Sequence, residues 1–160
     1  MKTSETFLLS FLVQGFLVLS SYYIYAPKKD IWGVLSNPVV FCVWCVTASL
    51  SALGFIVFSI MNIMSISTSA DADEVYEWTL FPYSIFQSSA SLYMPLAKSG
   101  YKVATLFSLF VAAVATGVMV FSSVVLYGAS AITILMGVLF FHCTVIDFFM
   151  WGYSFWTMEL

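Results

Sequence analysis

Four polar side chains, Gln14, Gln87, His142 and Asp147, fall within long, mostly apolar stretches. A glutamine offers one carbonyl acceptor and two amide donors, and a neutral histidine offers one donor and one acceptor. An ionised carboxylate offers acceptors only. Gln14, Gln87 and His142 each fall near the middle of a long apolar run. On neighbouring helices they would meet at one level and satisfy one another, either as a packing cluster or as a substrate or proton site. Asp147 lies five residues beyond His142, about 140° around an ideal α-helix, so the two are expected on different faces. Deprived of water, a carboxylate must be protonated, solvated or paired. Solvation from a nearby polar edge is one expectation for Asp147. A lysine reaching in from Lys98 or Lys102 is the other.

Further groups with chemical potential are weaker. Cys42-Val43-Trp44-Cys45 has CxxC spacing and in that resembles the quinone-coupled membrane oxidoreductases that form disulfides, which are small helical bundles. The resemblance covers four residues. That family passes electrons through a second cysteine pair, and this chain has only Cys143 besides. Two small apolar side chains on one helix face is the reading adopted. Asp71, Asp73, Glu74 and Glu77 form an acidic group without the glycine and ligand spacing of a calcium loop. Asp71 and Glu74 instead have the spacing of a helix-capping box. A single histidine cannot supply two axial haem ligands, and no lysine sits in an apolar run to hold retinal. Phosphate-loop, zinc-protease and serine-elbow motifs are also missing. No metal and no cofactor is expected, although a bound lipid is compatible.

The elements that must position these residues follow from composition. Of 160 residues, 62% are hydrophobic and 8% charged, with a mean hydropathy of +1.01. Soluble domains carry about a quarter charged residues, so this apolar surface needs lipid. The net charge of -3 and the absence of arginine argue against a nucleic-acid partner. A spanning helix takes roughly 20 mostly apolar residues, and five stretches qualify: 6–26, 39–66, 74–96, 101–124 and 129–156. The expected fold is therefore all-α, a polytopic transmembrane helical bundle forming one domain over 1–160. Asn37-Pro38 is a favourable helix entrance, and Leu126-Tyr127-Gly128 marks a tight hairpin between the last two helices. The first stretch is read as a retained helix, because no small-residue cleavage site follows it.

With five crossings, Lys28, Lys29, Lys98 and Lys102 share one side and Lys2 lies on the other. The positive-inside rule then places the N-terminus outside and the C-terminus inside. Tyr22, Tyr23, Tyr25, Trp32, Trp151 and Trp156 on the inner side, with Tyr76, Trp78 and Tyr127 on the outer, read as an aromatic belt. In lipid, helices associate by close packing and hydrogen bonds. Ala104, Ser108, Ala112 and Thr116 recur every four residues, and Ala113 with Gly117 forms a second small pair, so this face should meet a neighbouring helix. Ser84, Gln87, Ser88 and Ser91 share a broad face of the third helix, read first as packing and second as a wet path. The function that fits is a non-catalytic accessory or structural subunit of a larger membrane complex, with other subunits or further copies as partners. A small oligomeric channel or transporter with Gln14, Gln87, His142 and Asp147 along a polar path is the alternative. A membrane-embedded enzyme using His142 and Asp147 is a third.

Overall fold

A computed structural model describes residues 3–25, 33–68 and 72–158. Of the acidic group, Asp71 lies outside the described residues, as do Lys2, Lys28, Lys29 and Trp32, and the side chains of Tyr25, Asp73, Glu74, Tyr76, Glu77 and Trp78 are not described. The described chain is helical, without a strand. Helix α1 is Thr3–Tyr25, α2 is Pro38–Thr68, α3 is Ala72–Lys98 and α4 is Lys102–Tyr127. Helix α5 is the continuous run Ala131–Thr157. A short 3-10 turn, Gly33–Ser36, precedes α2. Pro38–Ile66, Lys102–Tyr127 and Ala131–Thr157 are each long and apolar enough to cross a membrane, and α1 is apolar over Leu8–Ile24. The α3 helix is the more polar member, with Pro82 and Pro95 inside it.

Local chemistry sets the ends. Asn37 caps α2, its side-chain oxygen accepting from the Val39 backbone N–H at 2.9 Å and from that of Val40 at 3.4 Å. Gly128 turns the chain between α4 and α5 at φ +62°, a backbone conformation that glycine adopts without strain. Ser130 then caps α5, accepting from the Thr133 N–H, and so α5 begins at Ala131, two residues later than the apolar run suggests. At the opposite end the Val34 N–H donates to Ser154 Oγ at 2.8 Å. Lys102 Nζ donates to the carbonyls of Trp156, at 3.0 Å, and Met158. Lys102 therefore closes the exit of α5 and does not reach Asp147. Near the far end, the Tyr127 hydroxyl donates to Asn62 Oδ1 at 2.6 Å, joining the closing turns of α2 and α4.

Two apolar clusters fill the bundle. One gathers Phe58, Tyr83, Met119, Met136 and Leu139; the other gathers Tyr93, Met94, Leu109, Trp151 and Phe155. Trp151 is thus a core residue stacked on Phe155 at 5.0 Å, not a member of an interfacial belt, whereas Tyr23 and Trp156 are exposed. On α4, Ser108, Ala112, Ala113 and Thr116 are buried, Gly117 is half-buried, and Ala104 is exposed. The buried face passes through Thr105 in place of Ala104. Ser108 Oγ donates to the Ser89 carbonyl of α3 at 2.8 Å, and Gly117 lies against the Phe140 ring.

A close approach of α2 to α5 involves Gly54, which the small-residue pattern of α4 does not reveal. A Cβ placed there would sit 2.8 Å from Leu135 Cβ and 3.0 Å from its carbonyl oxygen. Helices α2 and α5 can pack at this distance only because residue 54 has no side chain. Gly137, two residues along α5 from Leu135, has open space around it. Gly54→Ala is accordingly expected to destabilise the bundle by about 1–3 kcal/mol, and Gly137→Ala to leave it unchanged or slightly more stable. Equilibrium unfolding of both variants in mixed micelles checks this, and equal effects would remove the close-approach account.

Candidate functional site: a polar network on a bundle cavity

Helix α5 changes winding at its centre. Ala131–Phe141 is α-helical, His142–Trp151 is π-helical, and Gly152–Thr157 is α-helical again. At the exit of the π stretch the Gly152 N–H donates to the Asp147 carbonyl, the five-residue reach of a π ladder. Each turn then takes more residues than in an α-helix, so a side chain five positions on returns toward the same face. His142 Nε2 consequently lies 3.5 Å from Asp147 Oδ2. The expectation of separate faces fails because it assumed α winding throughout. Short π segments often mark functional sites.

Helix α2 completes the network. Trp44 Nε1 donates to Asp147 Oδ1 at 3.1 Å, and Thr47 Oγ1 lies 2.8 Å from His142 Nδ1. The Trp44 and His142 rings are 5.8 Å apart. Trp44 and Thr47 are three residues apart, which places both on one face of α2. His142 and Asp147 are 5% and 7% exposed, so Asp147 is not a solvated edge residue. Each of its oxygens faces a protein group. Thr47 Oγ1 also lies 2.9 Å from the Val43 carbonyl. The Trp44 carbonyl lies 3.1 Å from the same hydroxyl, so Thr47 can donate to its own helix while its oxygen faces the imidazole. Opposite charges on His142 and Asp147 would offset each other in this apolar interior.

Beside this network lies a cavity of about 420 Å³ walled by all five helices. Its wall is almost wholly apolar, interrupted by Tyr22, Trp44, Ser51, Gln87, Tyr93, His142 and Asp147. The hydroxyls of Tyr22 and Tyr93 hydrogen-bond each other, so Tyr22 faces inward and is not a belt residue. Leu19 on α1 and Ala52 and Ile56 on α2 belong both to the cavity wall and to the exposed surface. The cavity therefore opens sideways between α1 and α2. Residues 52 and 56 lie near the middle of Pro38–Thr68, so this opening is at mid-helix and away from either end of the bundle.

Of the three polar residues expected to converge, Gln87 and His142 share the cavity, joined there by Asp147, whereas Gln14 does not line it. His142 takes Thr47 and Asp147 as partners in place of the glutamines. Gln14 Oε1 and both amide atoms of Gln87 are buried without a hydrogen bond. Such an atom costs about 1–3 kcal/mol when left unpaired. Tyr22, Trp44, Thr47 and Tyr93 are the residues that sequence reasoning missed. The three-residue spacing of Trp44 and Thr47 was the available signal. Cys42 is exposed, Cys45 half-buried and Cys143 buried, all as free thiols. The exposed and half-buried residues of the serine group on α3 are Ser84, Ser88 and Ser91, with Ser91 Oγ donating to the Ser88 carbonyl of its own helix. Among the described residues no group of three histidine, cysteine or acidic side chains could hold a metal.

If the network couples α2 to α5, its members are energetically linked. Trp44→Phe and Asp147→Leu should each destabilise, and the double variant should fall short of their sum by about 0.5–3 kcal/mol. Asp147→Leu combined with Lys102→Ala should be additive, since Lys102 binds elsewhere. Unfolding in micelles gives all the values, and additivity in the first cycle would dissolve the network. No protein-family model, curated protein or solved structure matches the chain.

Proposed function

We propose that this chain is a non-catalytic, multi-pass membrane protein whose bundle interior takes up a lipophilic molecule from the surrounding bilayer. The observation that carries this reading is the cavity of about 420 Å³ with an apolar wall, opening at mid-helix between α1 and α2. Binding pockets for small molecules are typically concave, mostly apolar and marked by a few convergent polar groups. A side opening at that level faces hydrocarbon, the phase in which a lipophile is dissolved. The His142–Asp147–Trp44 network forms one polar region of the wall and makes the cavity chemically asymmetric. Carriage of the bound molecule across the bilayer is the transport form of the same reading.

A second reading, the accessory subunit of a membrane complex, draws on α2. Only 11% of its most apolar stretch is buried inside the bundle, against 44% in α4 and 33% in α5. A partner helix or a second copy could lie along that face, as lipid could.

One measurement separates the readings. Native mass spectrometry of protein extracted gently from its membrane should show a lipophilic adduct, lost in Ala48→Leu, which narrows the cavity on α2. A bare protein in stoichiometric assembly with unrelated subunits, with Ala48→Leu indistinguishable from it, would instead favour the accessory role.

The proposed orientation keeps the N-terminus outside and the C-terminus inside. The hydrogen bonds of Val34 and Lys102 to the last turn of α5 and its exit are consistent with residues 33–37, the start of α4 and the end of α5 sharing one side. An impermeant amine reagent applied to intact cells should leave Lys28 and Lys98 unmodified until the membrane is opened. Modification of both beforehand would reverse the orientation.

A further inference from the structure

The polar atoms on the cavity wall are not equally occupied. Those of the His142–Asp147–Trp44 network are matched with one another, and the Tyr22 and Tyr93 hydroxyls are matched as a pair. Two wall residues are different. Gln87 on α3, 1% exposed, has neither its Nε2 nor its Oε1 in a hydrogen bond, and Ser51 on α2, 3% exposed, has no partner for its Oγ. The Gln87 amide faces the Tyr83 hydroxyl one helical turn away, but neither of its polar atoms is in a hydrogen bond. Buried polar groups without partners are uncommon in folded proteins, and each calls for a reason such as a missing ligand.

Gln87 and Ser51 also lie at one level. Phe55 and Tyr83 stack between α2 and α3 with ring centres 4.8 Å apart and planes within 10°. Ser51 is one turn from Phe55, and Gln87 is one turn from Tyr83. Both steps run toward the same end of the bundle, because α2 and α3 are antiparallel: Ser59 Oγ donates to the Tyr83 hydroxyl, and Phe55, one turn earlier on α2, meets both Tyr83 and Phe86, later on α3. The carboxamide offers a donor and an acceptor side by side, and the hydroxyl offers either. A cation would find no free carboxylate among these two residues, and an anion no positive charge.

We propose that the cavity selects an uncharged single-chain lipophile bearing a hydroxyl group, a long-chain alcohol, whose oxygen accepts from Gln87 Nε2 and whose proton goes to Gln87 Oε1 or Ser51 Oγ. This rests on the lipophile-binding reading above and adds to it the chemistry of the head group. Gln87 and Ser51 supply recognition, while the apolar wall supplies most of the contact area. The His142–Asp147 network is a wall of the site and not its hydrogen-bonding partner.

The test measures equilibrium binding of labelled dodecanol, dodecyl methyl ether and dodecylamine to the full chain in phosphatidylcholine nanodiscs, with empty nanodiscs subtracted. The wild type should prefer the alcohol to the ether by about tenfold. Gln87→Leu should abolish that preference while still binding the ether, which shows that the cavity survives the substitution. Ser51→Ala should weaken the preference by a smaller factor, and Asp147→Asn should preserve it. Equal binding of alcohol and ether by the wild type, or a preference that survives both Gln87→Leu and Ser51→Ala, would overturn the head-group assignment and leave lipophile binding standing. Tightest binding of the amine, lost in Asp147→Asn, would overturn it in favour of a cationic head at Asp147. No binding of any of the three above empty nanodiscs would bring down the lipophile reading itself.

Discussion

The π winding of His142–Trp151 is the constraint on which the polar centre of this bundle depends. It brings an imidazole and a carboxylate, five residues apart, to 3.5 Å, and it turns that pair toward α2 where Trp44 and Thr47 meet it. An α-helical segment of the same sequence would send Asp147 about 140° away from His142 and leave a charged group in an apolar interior. A π ladder has poorer local packing than an α-helix and is rare for that reason. Here its cost is offset by pairing two ionisable side chains that would otherwise be buried singly.

The rest of the bundle is arranged around that requirement. Helix α2 approaches α5 closely at Gly54, about three turns along the helix from Trp44, so the polar contacts and the close packing tie the same two helices. Helices α3 and α4 are joined by a side chain-to-backbone bond from Ser108 to Ser89 and by a buried small-residue face. Helix α1 stands against α3, and Tyr22 bonds Tyr93. Between α1 and α2 the wall residues Leu19, Ala52 and Ile56 remain exposed, so the cavity wall reaches the surface there. Tight packing on one side and an open seam on the other give an interior that is both shaped and accessible.

The cavity then sorts its polar atoms into two groups by satisfaction. Pairing within the protein silences the His142–Asp147 network and the tyrosine pair as ligand contacts, whereas Gln87 and Ser51 retain unmet capacity. In an apolar interior an unmet donor or acceptor is costly and therefore informative. The charged residue of the wall, Asp147, is matched within the protein, and the uncharged Gln87 amide is not.

Composition and apolar run length by themselves determined that the chain is helical, that its surface requires lipid, and where the helices lie to within a few residues, because these follow from local chemistry repeated along one segment. The Asn37 cap and the Gly128 turn were legible for the same reason. The mid-helix positions of Gln87 and His142 were legible too, and on α4 all but Ala104 of the small-residue positions are buried or half-buried. Tertiary structure alone decided who pairs with whom. The local winding of α5, the inward turn of Tyr22 and Trp151, the engagement of Lys102 at the end of α5 and the empty space beside Gln87 all depend on contacts between segments distant in sequence. Hydrophobic periodicity assumes one regular helix and records no partner, so neither a π stretch nor a cavity leaves a trace in it.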